Sequence, residues 1–172
     1  MTITNTNADQ NPRIGIGVVL TRGDRVLMGL RTSKLYPNIW AIPGGKLDWG
    51  ETVDACSRRE MFEETTIQTT GPLTKLGWED DIMPQYDAHY VTLYVHIDDT
   101  GNAQEAVIPE SEASKCSELR WMTLDEVRAL ELPIWPNTLP YIEQIQGDGS
   151  QEELQPPSRR QDYYFVGVTA QK

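Results

Sequence analysis

The chain has 172 residues, 38% of them hydrophobic and 24% charged, with 15 lysines and arginines against 26 aspartates and glutamates and a formal net charge of −11. This length suits a single domain with one sizeable core, and no apolar run approaches the roughly 18 residues that a membrane-spanning helix needs. The acidic balance argues against binding to a nucleic acid polymer, which relies on basic surface to displace counterions. A small phosphorylated ligand stays possible if a metal cation lies between protein and phosphate.

Residues 1–12 are polar and lack both the basic start and the apolar stretch of a secretory signal. We therefore expect a disordered leader and a cytoplasmic protein that does not enter a membrane. Cys56 and Cys116 are too few for a disulfide framework and lack the spacing of a zinc site. We expect both thiols to stay reduced in that compartment.

The rest of the chain alternates β-rich runs, turn signals and helical segments. In chain order, the predicted elements are strands at 14–21, 25–31 and 40–42, a helix at 52–66, strands at 72–80, 88–97 and 118–122, a helix opening at 123–126, and a last helix at 137–146. Pro43-Gly44-Gly45 should end the third strand. In the first helix, we expect Ala55 and Phe62 to face the core.

This order of elements predicts an α/β protein, an α/β/α sandwich around a mixed sheet, with one domain over residues 13–146. Residues 147–172 form a separate C-terminal extension in this interpretation. Its first part has the composition of a linker, and the run 162–168 is strand-like.

Three glutamates in the first predicted helix carry the strongest chemical signal. Glu60, Glu63 and Glu64 lie at i, i+3 and i+4, so their carboxylates converge on one flank. Like charges at this spacing cost about 0.2–0.5 kcal/mol per pair, and the C-terminal half of a helix disfavours anions further. A divalent cation would neutralise this penalty, and hard oxygen ligands favour Mg²⁺. A solvated acidic face is the alternative interpretation of the triplet alone.

A longer pattern of fixed spacings surrounds these glutamates. Gly45 is followed after five residues by Glu51, and after seven more by Arg59-Glu60; Glu63-Glu64 and the hydrophobic Ile67 complete a set that spans 23 positions. This set resembles the box of the Nudix hydrolase superfamily. The resemblance implies the Nudix fold and an enzyme that uses Mg²⁺ or Mn²⁺ to hydrolyse a nucleoside diphosphate linked to another moiety.

The resemblance extends beyond the box to one branch of that superfamily. The segments that carry it are 13–19, 40–45, 89–92, 115–116 and 134–136. The branch comprises MutT-like cytosolic nucleoside-triphosphate diphosphatases, with plant relatives that act on prenyl diphosphates. Lys46 and Asp48 depart from the histidine and glutamate common there, which leaves the substrate open. Thr66 replaces a family glycine that would cap the helix, so we expect an altered turn after it.

The resemblance assigns roles to the residues of the box. Glu60 and Glu64 are implied as the principal metal ligands, Glu63 as a further ligand or base, and the Gly44 carbonyl as an additional oxygen ligand. These glutamates are also candidate catalytic residues.

Two further candidates for catalysis, Arg59 and Glu51, are expected to form an ion pair that braces the loop against the helix and so orients the metal ligands. The attacking water needs a general base. Either a helix glutamate or one of the loop residues Glu110 and Glu112 can supply it, and the sequence leaves this open.

Five residues are candidates for substrate binding: Arg31, Ile42, Gly45, Thr92 and Trp135. Arg31 can complement phosphate charge, although a solvated strand end is an equal alternative. Trp135 can stack on a planar ring, or can instead pack the last helix. His89 and His96 lie in a β-rich run and receive no catalytic role.

The leading prediction is hydrolysis of a nucleoside triphosphate to a monophosphate and pyrophosphate. ADP-ribose, a nucleotide sugar or a prenyl diphosphate is the alternative substrate for the same chemistry. A Nudix-fold ligand sensor without catalysis is the alternative from another class, and the three clustered carboxylates argue against it. The expected partner is a small phosphorylated substrate, and a homodimer is left open.

Overall fold

The structure describes residues 11–34 and 36–147, which form seven strands, three α-helices and one short 3₁₀ helix at Pro84–Tyr86. The strands are β1 (Arg13–Arg22), β2 (Arg25–Arg31), β3 (Trp40–Ala41), β4 (Gly44–Lys46), β5 (Leu73–Met83), β6 (Ala88–Asp98) and β7 (Cys116–Thr123). The helices are α1 (Val53–Thr65), α2 (Leu124–Arg128) and α3 (Thr138–Gln146). The structure is a computed structural model, and the predicted strand-like run at 162–168 lies outside the described residues.

All seven strands belong to one mixed sheet, whose main order is β3-β2-β1-β6-β5. The pairing of β1 with β6 is parallel, whereas β2 and β4 pair with β1 in antiparallel fashion. β7 extends the sheet by pairing along most of β2. The mixed sheet expected from the order of elements is confirmed.

Strand β1 supplies core residues to both faces of the sheet because successive side chains alternate across it. Ile16, Val18 and Leu20 pack toward α1 together with Cys56 and Met61. On the opposite face, residues of β1, β2 and β6 pack against α2 and α3. The predicted α/β/α sandwich is therefore confirmed. Within residues 11–34 and 36–147, no helix is long and apolar enough to cross a membrane.

The segment after β3 differs from the sequence prediction. Pro43-Gly44-Gly45 ends the third strand as expected, but Gly44–Lys46 then forms β4 and pairs with Gly15–Gly17 of β1. The approach is so close that a Cβ atom on Gly44 would lie 2.0 Å from the carbonyl oxygen of Ile16. The two glycines therefore let an additional strand pair with β1, whereas the sequence predicted only the end of the third strand at this point.

Helix α1 begins after Thr52, whose hydroxyl accepts a hydrogen bond from the Ala55 amide as an N-cap. The prediction that Ala55 and Phe62 face the core is wrong, since both are exposed. The fully buried residues of this helix are Cys56, Ser57, Met61 and Thr65. The prediction placed the core on the side of the helix opposite the glutamates, whereas the helix turns part of its acidic side toward β4.

Thr66 ends α1 in the left-handed conformation, with φ 61°, and its amide donates to the carbonyl of Phe62. Such a C-cap is usually a glycine, because a side chain is disfavoured there. Thr66 therefore forms the left-handed C-cap that a glycine usually forms. The altered turn that we expected after the helix is not seen at this residue.

The correction to α1 can be tested with two neighbouring residues. Met61→Ala should lower the free energy of unfolding by about 2–5 kcal/mol, because it opens a cavity in the core. Phe62→Ala should change it by less than about 0.5 kcal/mol, as at other surface positions. Urea unfolding of both variants measures the difference, and a larger loss for Phe62→Ala would show that the helix is rotated from the described position.

Candidate active site

One contact in the candidate site joins the glycines of β4 to the glutamates of α1. The Gly44 amide donates a 3.0 Å hydrogen bond to Oε2 of Glu64. A Cβ atom on Gly45 would lie 2.2 Å from the carboxyl group of Glu60, a distance that no real contact allows. Only a glycine at position 45 lets the Glu60 carboxylate lie against the backbone of β4.

Arg59 connects the acidic residues of the site. Its Nε and Nη2 donate to the two carboxylate oxygens of Glu51, each at 2.9 Å. Its Nη1 donates to Glu60 at 2.8 Å and to Glu63 at 3.2 Å, and Nη2 also bonds the Lys46 carbonyl at 3.1 Å. The expected ion pair of Glu51 with Arg59 is present, and it joins the loop before α1 to the helix.

These contacts give the carboxylates of the site different proton affinities. The hydrogen bonds from Arg59 lower the pKa of Glu51 to about 2. Burial raises the pKa of Glu60 above its usual value, although Arg59 opposes the shift. Burial also raises the pKa of Glu64 to about 7, with a smaller contribution from the charge of Glu60 and opposition from the Gly44 amide. The charge of Glu64 is therefore poorly compensated by protein groups.

Glu63 lies apart from the other two glutamates, since its side chain is 52% exposed and that of Glu60 is 13% exposed. Within the described ranges 11–34 and 36–147, no three His, Cys, Asp or Glu side chains are grouped closely enough to hold a metal ion as they stand. Glu60 and Glu63 instead bond Arg59, and Glu64 bonds the Gly44 amide.

The donor chemistry nevertheless fits a hard divalent cation. Glu60 and Glu64 are separated by one helical turn, both approach β4, and both have a pKa raised by burial. A cation that accepted their oxygens would relieve the repulsion between them and stabilise their charged forms.

The loop before β7 brings one of the two candidate bases close to the glutamates. The Glu112 side chain is 13% exposed and accepts a 2.8 Å hydrogen bond from Nζ of Lys115. Its charge contributes to the raised pKa of Glu64, whereas Glu110 is exposed on the same loop. The structure thus favours Glu112 over Glu110 as a loop residue that can act at the site.

A cavity of about 220 Å³ lies beside the glycines of β4. The five candidate substrate-binding residues all line it: Arg31, Ile42, Gly45, Thr92 and Trp135. Gly44 and Lys46 line it too, so the cavity and the glutamates of α1 share the same backbone. These residues were chosen as candidates from the family resemblance, and in the structure all five line the same cavity.

Trp135 stands at this cavity in contact with two other side chains. The guanidinium carbon of Arg31 lies 5.1 Å from its ring centroid, and the Tyr36 ring meets it edge-on at 5.1 Å. Tyr36 also contacts Tyr86 of the turn between β5 and β6, with centroids 4.9 Å apart. Trp135 therefore helps to hold Arg31, and burial lowers the pKa of that arginine.

Sequence reasoning missed the acidic side chain of the cavity. Asp81 on β5 is 4% exposed and accepts hydrogen bonds from Thr92 Oγ1 and, at 3.3 Å, from Asn137 Nδ2. Burial raises its pKa. An acidic residue inside a β-rich run could have drawn attention to this position. Asp81 follows two other acids, Glu79 and Asp80, however, and the sequence does not show which of the three faces inward. His89 and His96, set aside earlier, do not line the cavity.

A family model for the NUDIX domain matches residues 11–145. This chain belongs to the NUDIX family. The match includes the glycine–glutamate contact, Arg59 and the cavity, so the sequence resemblance to Nudix hydrolases is confirmed. The mixed sheet between helices also agrees with solved NUDIX structures.

Three relatives show what this NUDIX chain is similar to. The MutT NUDIX hydrolase from Burkholderia pseudomallei is 29% identical with a TM-score of 0.68, and the match covers 78% of this chain and 98% of that structure. The oxidized purine nucleoside triphosphate hydrolase of Danio rerio is 29% identical over 112 residues, 64% of this chain and 65% of the relative. The NAD-capped RNA hydrolase NudC of Stutzerimonas stutzeri is 28% identical over 115 residues, 66% of this chain.

The chain spans only 37% of the length of that NudC protein. Two of the three relatives have a substrate in their names, and these two substrates differ. The predicted class of enzyme, a NUDIX hydrolase of pyrophosphate linkages, agrees with all three. Their names do not decide which phosphorylated molecule this chain hydrolyses.

The raised pKa of Glu64 predicts a specific pH dependence of stability when divalent cations are removed. The folded protein holds this proton up to about pH 7, whereas an ordinary glutamate releases it near 4.5. Stability should therefore fall as pH rises from about 4.5 to 7 and then level off. The difference in unfolding free energy between the native chain and Glu64→Gln, measured in EDTA, isolates this residue. Parallel pH profiles for the two proteins would contradict the assignment.

Proposed function

We propose that the chain is a Mg²⁺-dependent enzyme that hydrolyses a nucleoside triphosphate to a nucleoside monophosphate and pyrophosphate. The observation that carries the proposal is the shared backbone of Gly44 and Gly45. On one side it touches the carboxylates of Glu60 and Glu64, and on the other it lines the cavity. A substrate in the cavity would thus present its phosphates at the metal-binding carboxylates.

In this proposal Glu60, Glu64 and the Gly44 carbonyl hold the cation, and Glu63 is an outer ligand because it is more exposed. These residues would hold Mg²⁺, or Mn²⁺ in its place, which would supply charge neutralisation for the phosphates and a more acidic water. Arg59 positions Glu60 through their 2.8 Å hydrogen bond. This arrangement lets an acidic protein accept a polyanionic substrate.

The chain's cations and the loop acid complete the proposed chemistry. Arg31 and Lys46 line the cavity, which supports a role for both in binding phosphate oxygens. Glu112 is the proposed general base that receives the proton of the attacking water. Its hydrogen bond with Lys115 keeps its carboxylate from turning into solvent.

The cavity supports a nucleotide better than a prenyl diphosphate. A prenyl chain needs only an apolar channel, whereas a nucleobase needs an apolar or aromatic surface together with polar groups that contact its edge. Ile42 and Trp135 provide the apolar and aromatic surface, and Thr92 and Asp81 provide the polar groups. ADP-ribose and nucleotide sugars remain the alternative substrates for the same metal chemistry, while the intact glutamates argue against a sensor without catalysis.

A cytoplasmic location and a small substrate complete the proposal. Both described cysteines are free thiols, as a reducing compartment maintains them. The net charge of −11 disfavours an RNA chain as substrate, because phosphate-backbone binding relies on basic surface. A homodimer stays a prediction that size measurement in solution would test.

Hydrolysis should stop when EDTA removes divalent cations and should return with Mg²⁺ or Mn²⁺. Glu64→Gln retains an oxygen that can accept the Gly44 amide but removes the charge, so activity should fall by at least ~10²-fold, as when a main electrostatic stabiliser is lost. Asp24→Asn, a charge-matched change in the exposed turn between β1 and β2, is the control and should keep native activity. Full turnover of the chelated protein, or of Glu64→Gln, would refute the proposal.

Trp135→Ala separates nucleotide from prenyl substrates. Loss of ring stacking should cost about 1–3 kcal/mol, which is roughly a 5- to 150-fold increase in KM for nucleotides. The value of kcat should change less, since stacking contributes equally to ground and transition states. Trp78→Ala, at a tryptophan that is 60% exposed on β5, is the matched control. Equal KM values in both variants for all four nucleoside triphosphates would favour a substrate without a base.

A further inference from the structure

The cavity contains a buried carboxylate that the metal chemistry does not use. Asp81 lies on β5, at the far end of the main sheet order from β2 and β3, and lines the cavity while only 4% exposed. Its hydrogen-bond donors, Thr92 and Asn137, are both neutral. Burying a carboxylate among neutral donors is unfavourable, and a ligand that donated further hydrogen bonds would offset part of that cost.

A second polar group in the same cavity also points to a ligand. The Thr138 side chain is fully buried at the start of α3 and lines the cavity. Its Oγ1 makes no hydrogen bond with any residue in the described ranges. Leaving such a hydroxyl unsatisfied is unfavourable, and a ligand that bonds it would remove that penalty.

Two glycines of β1 form part of the wall of this cavity. Gly15 and Gly17 of β1 line the cavity, and they pair with Thr92 and Tyr94 of β6. A Cβ atom on Gly15 would lie 3.0 Å from Thr92 Oγ1, and one on Gly17 would lie 3.1 Å from the Tyr94 ring. The side chains of Thr92 and Tyr94 therefore pack closely against the backbone of β1 at this wall.

We infer that Asp81 is the residue that selects the base, and that it favours a purine whose edge carries two adjacent N–H donors, as guanine does. An ionised carboxylate only accepts hydrogen bonds, and each of its oxygens already receives one protein donor. The remaining lone pairs can accept from N1–H and from the 2-amino group. The free hydroxyl of Thr138 can donate to the neighbouring carbonyl.

The other common bases match this arrangement less well. Adenine and cytosine place a ring acceptor beside their amino donor, and uracil places carbonyl acceptors on both sides of its single donor. Each would set an acceptor against the Asp81 carboxylate, which leaves a buried polar group unpaired. Sites that lose such a hydrogen bond discriminate strongly against the wrong substrate.

The inference rests on the proposed function, since it names the class of nucleotide that would occupy the proposed site. Equilibrium binding of GMP and AMP tests it separately, because neither molecule has an anhydride to hydrolyse. We expect the native chain to bind GMP at least 10-fold more tightly than AMP. The amide of Asp81→Asn offers one donor and one acceptor. This variant should lower the ratio of GMP affinity to AMP affinity at least 10-fold, chiefly because it binds GMP more weakly.

Glu79→Gln is the matched control. Glu79 lies two residues away on the same strand and accepts a hydrogen bond from Tyr141, which does not line the cavity. The substitution removes the same charge as Asp81→Asn, and this variant should keep the preference for GMP. Equal binding of GMP and AMP by the native chain, no detectable binding of either, or an unchanged preference in Asp81→Asn would overturn the inference. Metal-dependent hydrolysis of all nucleoside triphosphates at equal rates would overturn the inference and leave the proposed function standing. A preference for GMP in a protein that hydrolyses no nucleoside triphosphate would support the inference and refute the proposed function.

Discussion

The candidate site depends on a close approach of backbone to carboxylate that only glycine permits. At Gly45 a Cβ atom would lie within 2.2 Å of the Glu60 carboxyl group, and at Gly44 it would collide with the carbonyl of Ile16 in the neighbouring strand. Both glycines therefore allow β4 to lie between β1 and α1. The same close packing buries Glu60 and Glu64, raises their pKa values and leaves a negative charge that a divalent cation can neutralise. The cavity adjoins this strand, so fold and chemistry share one constraint.

Arg59 makes this concentration of negative charge tolerable in the absence of a cation. It bonds Glu51 through two hydrogen bonds, and Glu60 and Glu63 through another nitrogen. Glu64 is bonded instead by the Gly44 amide, which carries no formal charge. The proton affinities follow this division, with the pKa of Glu51 lowered to about 2 and that of Glu64 raised to about 7. Glu51 and Glu64 thus differ in electrostatic environment although both are glutamates.

The sequence was most informative where spacing decides the outcome. The box spacings predicted the glutamate helix, the Glu51–Arg59 pair and the family, because each of these depends on residues at fixed separations along one segment. It was less informative where tertiary contact decides. The rotation of α1 that buries Met61 and exposes Phe62 depends on how the helix packs on the sheet. The position of Asp81 in the cavity depends on the register between β5 and β6, which adjacent acids in the sequence leave undetermined.

The central claim is that the bare glycine backbone of β4 creates the metal site. Titration of the protein with Mn²⁺, followed by electron paramagnetic resonance of the free ion, measures this directly. The native chain should bind Mn²⁺ at a site that Gly45→Ala removes or weakens at least 10-fold, because the added methyl displaces the Glu60 carboxylate, while circular dichroism shows that the variant stays folded. A folded Gly45→Ala protein that binds Mn²⁺ as tightly as the native chain would contradict the account.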